Sequence, residues 1–148
     1  MYHVFLIVAQ FALAAILVLS ATWLPFPWAI MLIALPGIVL AMSAWLTMGL
    51  FKLRVHPTTN EDTRLIRSGP YAVVRHPMYA GLMWFTAALL LSGFAWWRLA
   101  AWIGLSIVLA SKASVEELAM VKRFEEYRDY QSKVGRLVPR LPFASRGK

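Results

Sequence analysis

Arg67-Ser-Gly-Pro-Tyr-Ala-Val-Val-Arg-His-Pro-Met-Tyr79 is a polar, proline-punctuated stretch set between apolar segments long enough to cross a membrane. Gly69-Pro70 marks a turn, because glycine reaches φ values closed to other residues and proline fixes its own. Pro77 suits the first turn of a helix, where its missing N–H is no loss. From Met78 onward the chain is apolar. Arg75 and His76 therefore stand at the mouth of a membrane helix. His76 and Tyr79, three apart, share a face if the helix begins there.

Working outward, the composition agrees with a membrane setting. The 148 residues are 60% hydrophobic, which reads as one integral membrane domain rather than a soluble globule. The net charge of +8 could suggest nucleic acid, but the distribution of charge argues otherwise. Of fifteen Lys and Arg, only Arg98 lies outside residues 52–75 and 112–148, and all seven acids fall in those same regions. Nucleic-acid binders carry a basic face on a soluble fold; here the charge flanks apolar spans. The chain has no cysteine, and so no disulfide framework, thiolate metal site or thiol nucleophile.

Val4–Ser20 is an apolar run interrupted only by Gln10 before its end. No Lys or Arg precedes it and further spans follow, so a retained first helix is favoured over a cleaved signal peptide. Ala21–Pro27 is a short link with two prolines, and Trp23 and Trp28 suit a membrane interface. Trp28–Phe51 is the longest span; its Pro36-Gly37 should bend it, more often for packing than for a ligand. Residues 52–77 form a polar loop with five basic side chains. Met78–Phe94 and Ala95–Ser111 follow as two shorter apolar segments, each roughly 25 Å long against a hydrocarbon core of about 30 Å. They are expected to form a tight helical hairpin anchored at its far end by Trp96, Trp97 and Arg98.

These assignments give an all-α membrane protein with about four transmembrane helices and a charged C-terminal helical segment. With four crossings, both charged blocks share one side, and the positive-inside rule makes that side and both termini cytoplasmic. Lys112–Lys148 is amphipathic, with a helix expected over Glu116–Tyr130 that continues or follows the fourth span. Val138-Pro-Arg-Leu-Pro142 should end it in an extended tail.

Two constellations carry candidate chemistry. One is the Arg75-His76 patch, which could equally be an anchor for lipid headgroups. The other is Lys112 with Glu116-Glu117; Lys112 and Glu116 are four apart and face the same way on a helix. An interfacial lysine beside a solvated acidic turn is the plainer reading of that pair. The three histidines, His3, His56 and His76, have unrelated spacings and make no zinc site. Residue chemistry alone yields a polar pocket at the cytoplasmic interface, able to hold a small charged ligand beside a lipid-phase substrate.

Leu65-Ile-Arg-Ser-Gly-Pro-Tyr71, Arg75-His-Pro-Met-Tyr79, Glu116-Glu117 and Tyr127-x-x-Tyr130 with Val138-Pro139 together resemble a superfamily of integral membrane enzymes. It is the isoprenylcysteine carboxyl methyltransferase and phospholipid methyltransferase superfamily. The resemblance covers about residues 52–142, leaving residues 1–51 as two N-terminal spans similar only in kind. It implies S-adenosylmethionine as cofactor, bound in a cytoplasmic pocket of this C-terminal half, with a membrane lipid or isoprenoid-like acceptor entering from the bilayer. The cofactor contacts it implies are Leu65, Ile66, Tyr71, His76, Pro77, Met78, Tyr79 and Glu116, with His56 near another contact.

Lys112 stands where relatives with a carboxylate acceptor place a substrate-facing arginine. It keeps the charge but loses the bidentate fork. The implied catalytic pair is Lys112 and Glu116. Phe124-Glu-Glu-Tyr127 departs from the superfamily's Phe-Gly before Glu-Tyr. A membrane sterol or enone reductase using NADPH shares an Arg-His-Pro-x-Tyr element, but there the element usually carries Asn where Met78 stands. A non-catalytic accessory protein of the same fold is the third possibility.

Overall fold

The computed structural model describes residues 2–49 and 65–140. Its helices are α1 (Tyr2–Leu19), α2 (Trp28–Met48), α3 (Pro77–Leu89), α4 (Trp96–Arg123) and α5 (Tyr127–Lys133). A 3₁₀ turn over Gly69–Ala72 precedes α3, and another over Leu90–Ser92 extends it. Among the described residues there is no strand, only one isolated parallel bridge between Val74 and Gly135. The fold is the expected all-α membrane architecture. His56, one of the weaker sequence candidates, lies outside the described residues.

Among the described residues, three helices, α1, α2 and α4, are long and apolar enough to cross a membrane by length and composition. The fourth, α3, is the short one: thirteen residues of α-helix, sixteen with its 3₁₀ extension. Pro77 is its first residue, with no N–H to waste. The turn before it forms as expected, with Gly69 at φ 61°, a left-handed value that favours glycine.

The two helices joined by the tightest turn are not each other's principal partners in space. The tight turn joins α3 to α4, yet α3 packs chiefly on α2 and α4 chiefly on α1. The α2–α3 seam depends on two glycines. A Cβ on Gly37 would stand 2.7 Å from the Gly81 carbonyl oxygen, and one on Gly81 would stand 2.5 Å from that of Gly37. Backbone lies directly on backbone, which favours membrane helix pairing because dispersion contacts and close approach drive association there. Pro36-Gly37 is thus a packing feature. Near that proline, the Trp84 indole donates to the Ile33 carbonyl at 2.8 Å, in the turn where Pro36 interrupts the helical ladder. The part of the α1–α4 seam around Leu17, Leu105 and Leu109 is apolar: these three are fully buried, with Leu13, Ala14 and Trp102 packed around them.

The two ends of the bundle differ in kind. At one end the α1–α2 link meets the α3–α4 turn, where Thr22 N–H donates to the Ser92 hydroxyl at 3.3 Å. Arg98, expected as an interfacial anchor, is instead 2% exposed. Its guanidinium donates to the carbonyls of Leu89 (2.7 Å) and Gly93 and so closes the C-terminus of α3. At the other end stand the polar residues that precede α3 and the charged end of α4.

That charged end departs from the expected boundaries. Instead of stopping near Ser111, α4 runs unbroken from Trp96 to Arg123, so Lys112, Glu116 and Glu117 sit on the same rod as the span. The helix expected over Glu116–Tyr130 is therefore two pieces. Phe124 takes an extended conformation (φ −121°, ψ 111°) and ends α4, and α5 starts afresh at Tyr127. A helix does not end where its surroundings turn polar; it ends where the backbone leaves helical angles.

Candidate functional site

The segment before α3, the end of α4 and the residues after α5 converge on one carboxylate. Glu117 is 3% exposed. Its Oε1 accepts from Arg75 Nε at 2.8 Å and from His76 Nε2 at 3.2 Å. Its Oε2 accepts from Gln131 Nε2 at 3.0 Å and from Arg136 Nη2 at 2.8 Å and Nε at 3.2 Å. A buried carboxylate with that many donors stays ionised and holds its neighbours in place. Arg75 extends the network, its Nη1 donating to the carbonyls of Gln131 (3.0 Å) and Val134.

Backbone bonds reinforce this clamp. Arg75 N–H donates to Gly135 O at 2.8 Å and His76 N–H to Arg136 O at 3.0 Å. The Tyr130 hydroxyl donates to the Tyr71 carbonyl at 2.5 Å. Residues 134–136 thereby lie along residues 74–76 and tie the end of the described chain to the mouth of α3.

One residue earlier on α4 the surroundings change. Glu116 is 36% exposed. It accepts the Tyr79 hydroxyl at 2.5 Å, and His76 Nδ1 lies 3.4 Å from its second oxygen. The His76 and Tyr79 rings stack face to face, 5.6 Å between centroids and 2° apart in plane. The Lys112 Nζ stands over the Tyr79 ring, 5.1 Å from its centroid, and donates to Gln10 Oε1 of α1 at 2.6 Å. His76, Tyr79, Lys112 and Glu116 therefore form a half-open rim beside the closed clamp.

The electrostatics follow from this arrangement. Burial alone would lower the His76 pKa, but hydrogen bonds and charge from Glu116 and Glu117 outweigh it, and the pKa is raised above its ordinary value. The Tyr71 hydroxyl is pushed up to about 12, mainly by burial, with Tyr130 and Glu116 adding. Both tyrosines of α5, Tyr127 and Tyr130, are likewise raised by burial first. All three phenols stay protonated near neutral pH, so they can donate or pack but not act as bases.

The sequence candidates divide in position. His76, Tyr79, Lys112 and Glu116 meet at the rim, and Tyr71 is buried near enough to feel Glu116. Pro77 is buried and Met78 half-buried in the first turn of α3. Leu65 and Ile66 are half-buried, apolar, and lie upstream of the turn that leads to the rim. Sequence reasoning missed Glu117 as the hub, together with Arg136, Gln131 and Gln10. Gln10 left one signal: it is the polar interruption in an otherwise apolar α1.

A family model described as phospholipid methyltransferase matches residues 26–127. The match begins in the α1–α2 link and ends on the first residue of α5, so it takes in the rim and Glu117. Gln10, Gln131 and Arg136 lie outside it. No curated protein matches the chain.

Proposed function

The chain belongs to the phospholipid methyltransferase family, and from that premise we propose that it transfers a methyl group from S-adenosylmethionine to a lipid-like acceptor at the rim between α3 and α4. The observation that carries this reading is Glu116, a half-exposed carboxylate framed by stacked aromatic rings with a lysine one turn away. Such a donor brings a positive sulfur, an ammonium and a carboxylate. Glu116, with the Tyr79 hydroxyl beside it, suits the positive groups. The first-turn N–H groups of α3 at Met78 and Tyr79, which have no partner within the helix, suit the carboxylate. Leu65, Ile66, Tyr71, Pro77 and Met78 offer apolar wall for the adenine.

When bound, the cofactor supplies an electrophilic methyl carbon, which bonds to an acceptor lone pair as its bond to sulfur breaks. The protein's task is placement, since holding two reactants about 3–3.5 Å apart and in line removes most of the entropic barrier. His76, held between two carboxylates, orients Glu116. Lys112 marks the side from which an anionic acceptor group would approach. The clamp keeps α4, the mouth of α3 and the chain after α5 in one rigid frame.

Isothermal titration of the purified full chain tests the donor. S-adenosylhomocysteine should bind and NADPH should not; the reverse would replace methyl transfer with reduction. We also propose that the rim faces the cytoplasm, since fourteen of the fifteen basic residues fall in the sequence blocks 52–75 and 112–148 that hold the rim residues or adjoin them. An Asn60→Cys variant should resist labelling by an impermeant thiol reagent in intact cells and react after lysis. Labelling from outside would invert the topology.

A further inference from the structure

The Gln10–Lys112 contact is the polar join between α1 and the rest of the site. Gln10 lies eight residues from Tyr2, so it sits about 12 Å along α1, well away from the helix end. A lysine that served only as an interfacial anchor would send its ammonium outward to water. Lys112 instead directs its ammonium inward, to the middle of α1 and over the Tyr79 ring. Its hydrogen bond to Gln10 uses one of three N–H donors. Among the described residues no carboxylate lies within ion-pair distance of it, although Glu116 is one turn away on α4. Glu116 is already engaged by Tyr79 and His76.

A glutamine and a lysine facing each other within membrane helices are costly unless they meet something. Simple adhesion between α1 and α4 would need no charge; two uncharged polar side chains would serve. A half-buried ammonium with a fixed tether and unspent donors calls for an anion that the protein does not supply. The tether holds that ammonium beside Tyr79, the residue that links it to Glu116.

We propose that Gln10 and Lys112 form a subsite, between α1 and α4, for an anionic oxygen of the acceptor lipid. Gln10 is the positioning residue and Lys112 the group that touches the ligand. This rests on the methyl-transfer reading above and adds to it the contribution of α1, which lies outside the family match. Acceptor recognition thereby draws on α1 as well as on α4, whose Glu116 faces the cofactor one turn further along. Phosphate diesters and carboxylates share the required chemistry, and the test separates them.

The full chain, purified in a phosphate-free nonionic detergent, is titrated with dioleoylphosphatidylglycerol, oleate or dioleoylglycerol, and bound lipid is read by native mass spectrometry. One of the two anionic lipids should be retained over the neutral one, and which one identifies the headgroup chemistry. Gln10→Ala should weaken that retention by about tenfold, the scale of a lost hydrogen bond to a charged group. The Gln10→Ala/Lys112→Ala double variant should be no weaker than Lys112→Ala alone, because Gln10 acts through Lys112. S-adenosylhomocysteine affinity of Gln10→Ala should stay within about twofold of wild type, which also shows that the variant folds.

Gln10→Glu, equal in size, replaces Gln10→Ala if the latter fails to fold. Its carboxylate would occupy the ammonium and weaken anionic-lipid retention at least as much. Retention of neither anion over dioleoylglycerol, wild-type retention by the Gln10 variant, or additive losses in the double variant would each overturn the subsite. Absence of S-adenosylhomocysteine binding to wild type would instead overturn the methyl-transfer reading, which the lipid measurements do not test.

Discussion

Glu116 and Glu117 are consecutive on α4, but one faces a clamp and the other a rim. Glu117 is enclosed and accepts from two arginines, a histidine and a glutamine. Its oxygens have little left to offer a ligand. Glu116 accepts from Tyr79 and faces His76, with a third of its side chain open. A helix turns about 100° per residue, so adjacent positions differ in burial by geometry alone. The difference teaches that charge density does not locate a site. The more heavily bonded carboxylate builds the frame, and the less satisfied one is available for chemistry.

The largest expected effect is on the clamp. Glu117→Ala leaves the Arg75 guanidinium buried without its carboxylate, which should cost about 3–5 kcal/mol of stability. Thermal unfolding in detergent measures it, and a variant melting like wild type would break the comparison. On the rim, Glu116→Gln should melt close to wild type but weaken S-adenosylhomocysteine binding by about 1.5–3 kcal/mol, the scale of a charge-assisted hydrogen bond. Equal loss of stability in the two glutamate variants would show that they share one role.

Lys112→Ala should keep S-adenosylhomocysteine affinity within about threefold while costing about 2 kcal/mol in turnover. Lys112→Arg should retain much of the activity. A lipid extract with labelled donor provides the assay, and wild-type turnover by Lys112→Ala would remove it from the acceptor side.

The smallest effect sharpens the boundary between the two regions, since His76 touches both. Its pKa is raised on folding. Its charged form therefore contributes stability fully below the unfolded value, near 6.5, and that contribution is lost as pH rises through the higher folded value. Unfolding temperature should fall as pH rises from about 6.5 through the folded value in wild type and fall less in His76→Asn. Parallel pH profiles for the two proteins would show that His76 does not titrate there.

The comparison also shows what a sequence can disclose. Apolar runs and the placement of basic residues were enough for the all-α membrane fold, and Gly69-Pro70 and Pro77 located the turn and the start of α3. Local spacing placed His76 beside Tyr79, and put Lys112 and Glu116 one turn apart on α4, although Lys112 reaches Gln10 and the Tyr79 ring rather than Glu116. The end of α4 was harder. Phe124 is neither glycine nor proline, and nothing in its chemistry announces an extended residue. Which of two adjacent acids turns inward depends on the helix's rotation against its neighbours, a tertiary quantity. Glu117, Arg136 and Gln131 meet only because residues 134–136 return along residues 74–76, and no periodicity encodes that return. Gln10 showed itself as an anomaly in α1, but its partner stands 102 positions away.

The clamp has a consequence for synthesis. Its parts come from positions 75, 117 and 136, so it cannot close until the last of these has left the ribosome. Until then α1 through α4 can insert and pair through their glycine and leucine seams, with Glu117 lacking Arg136. The order of emergence separates two events: the bilayer receives the helices first, and the frame around the rim is completed from the aqueous side afterwards. A chain interrupted between those events would be a membrane protein without a finished site.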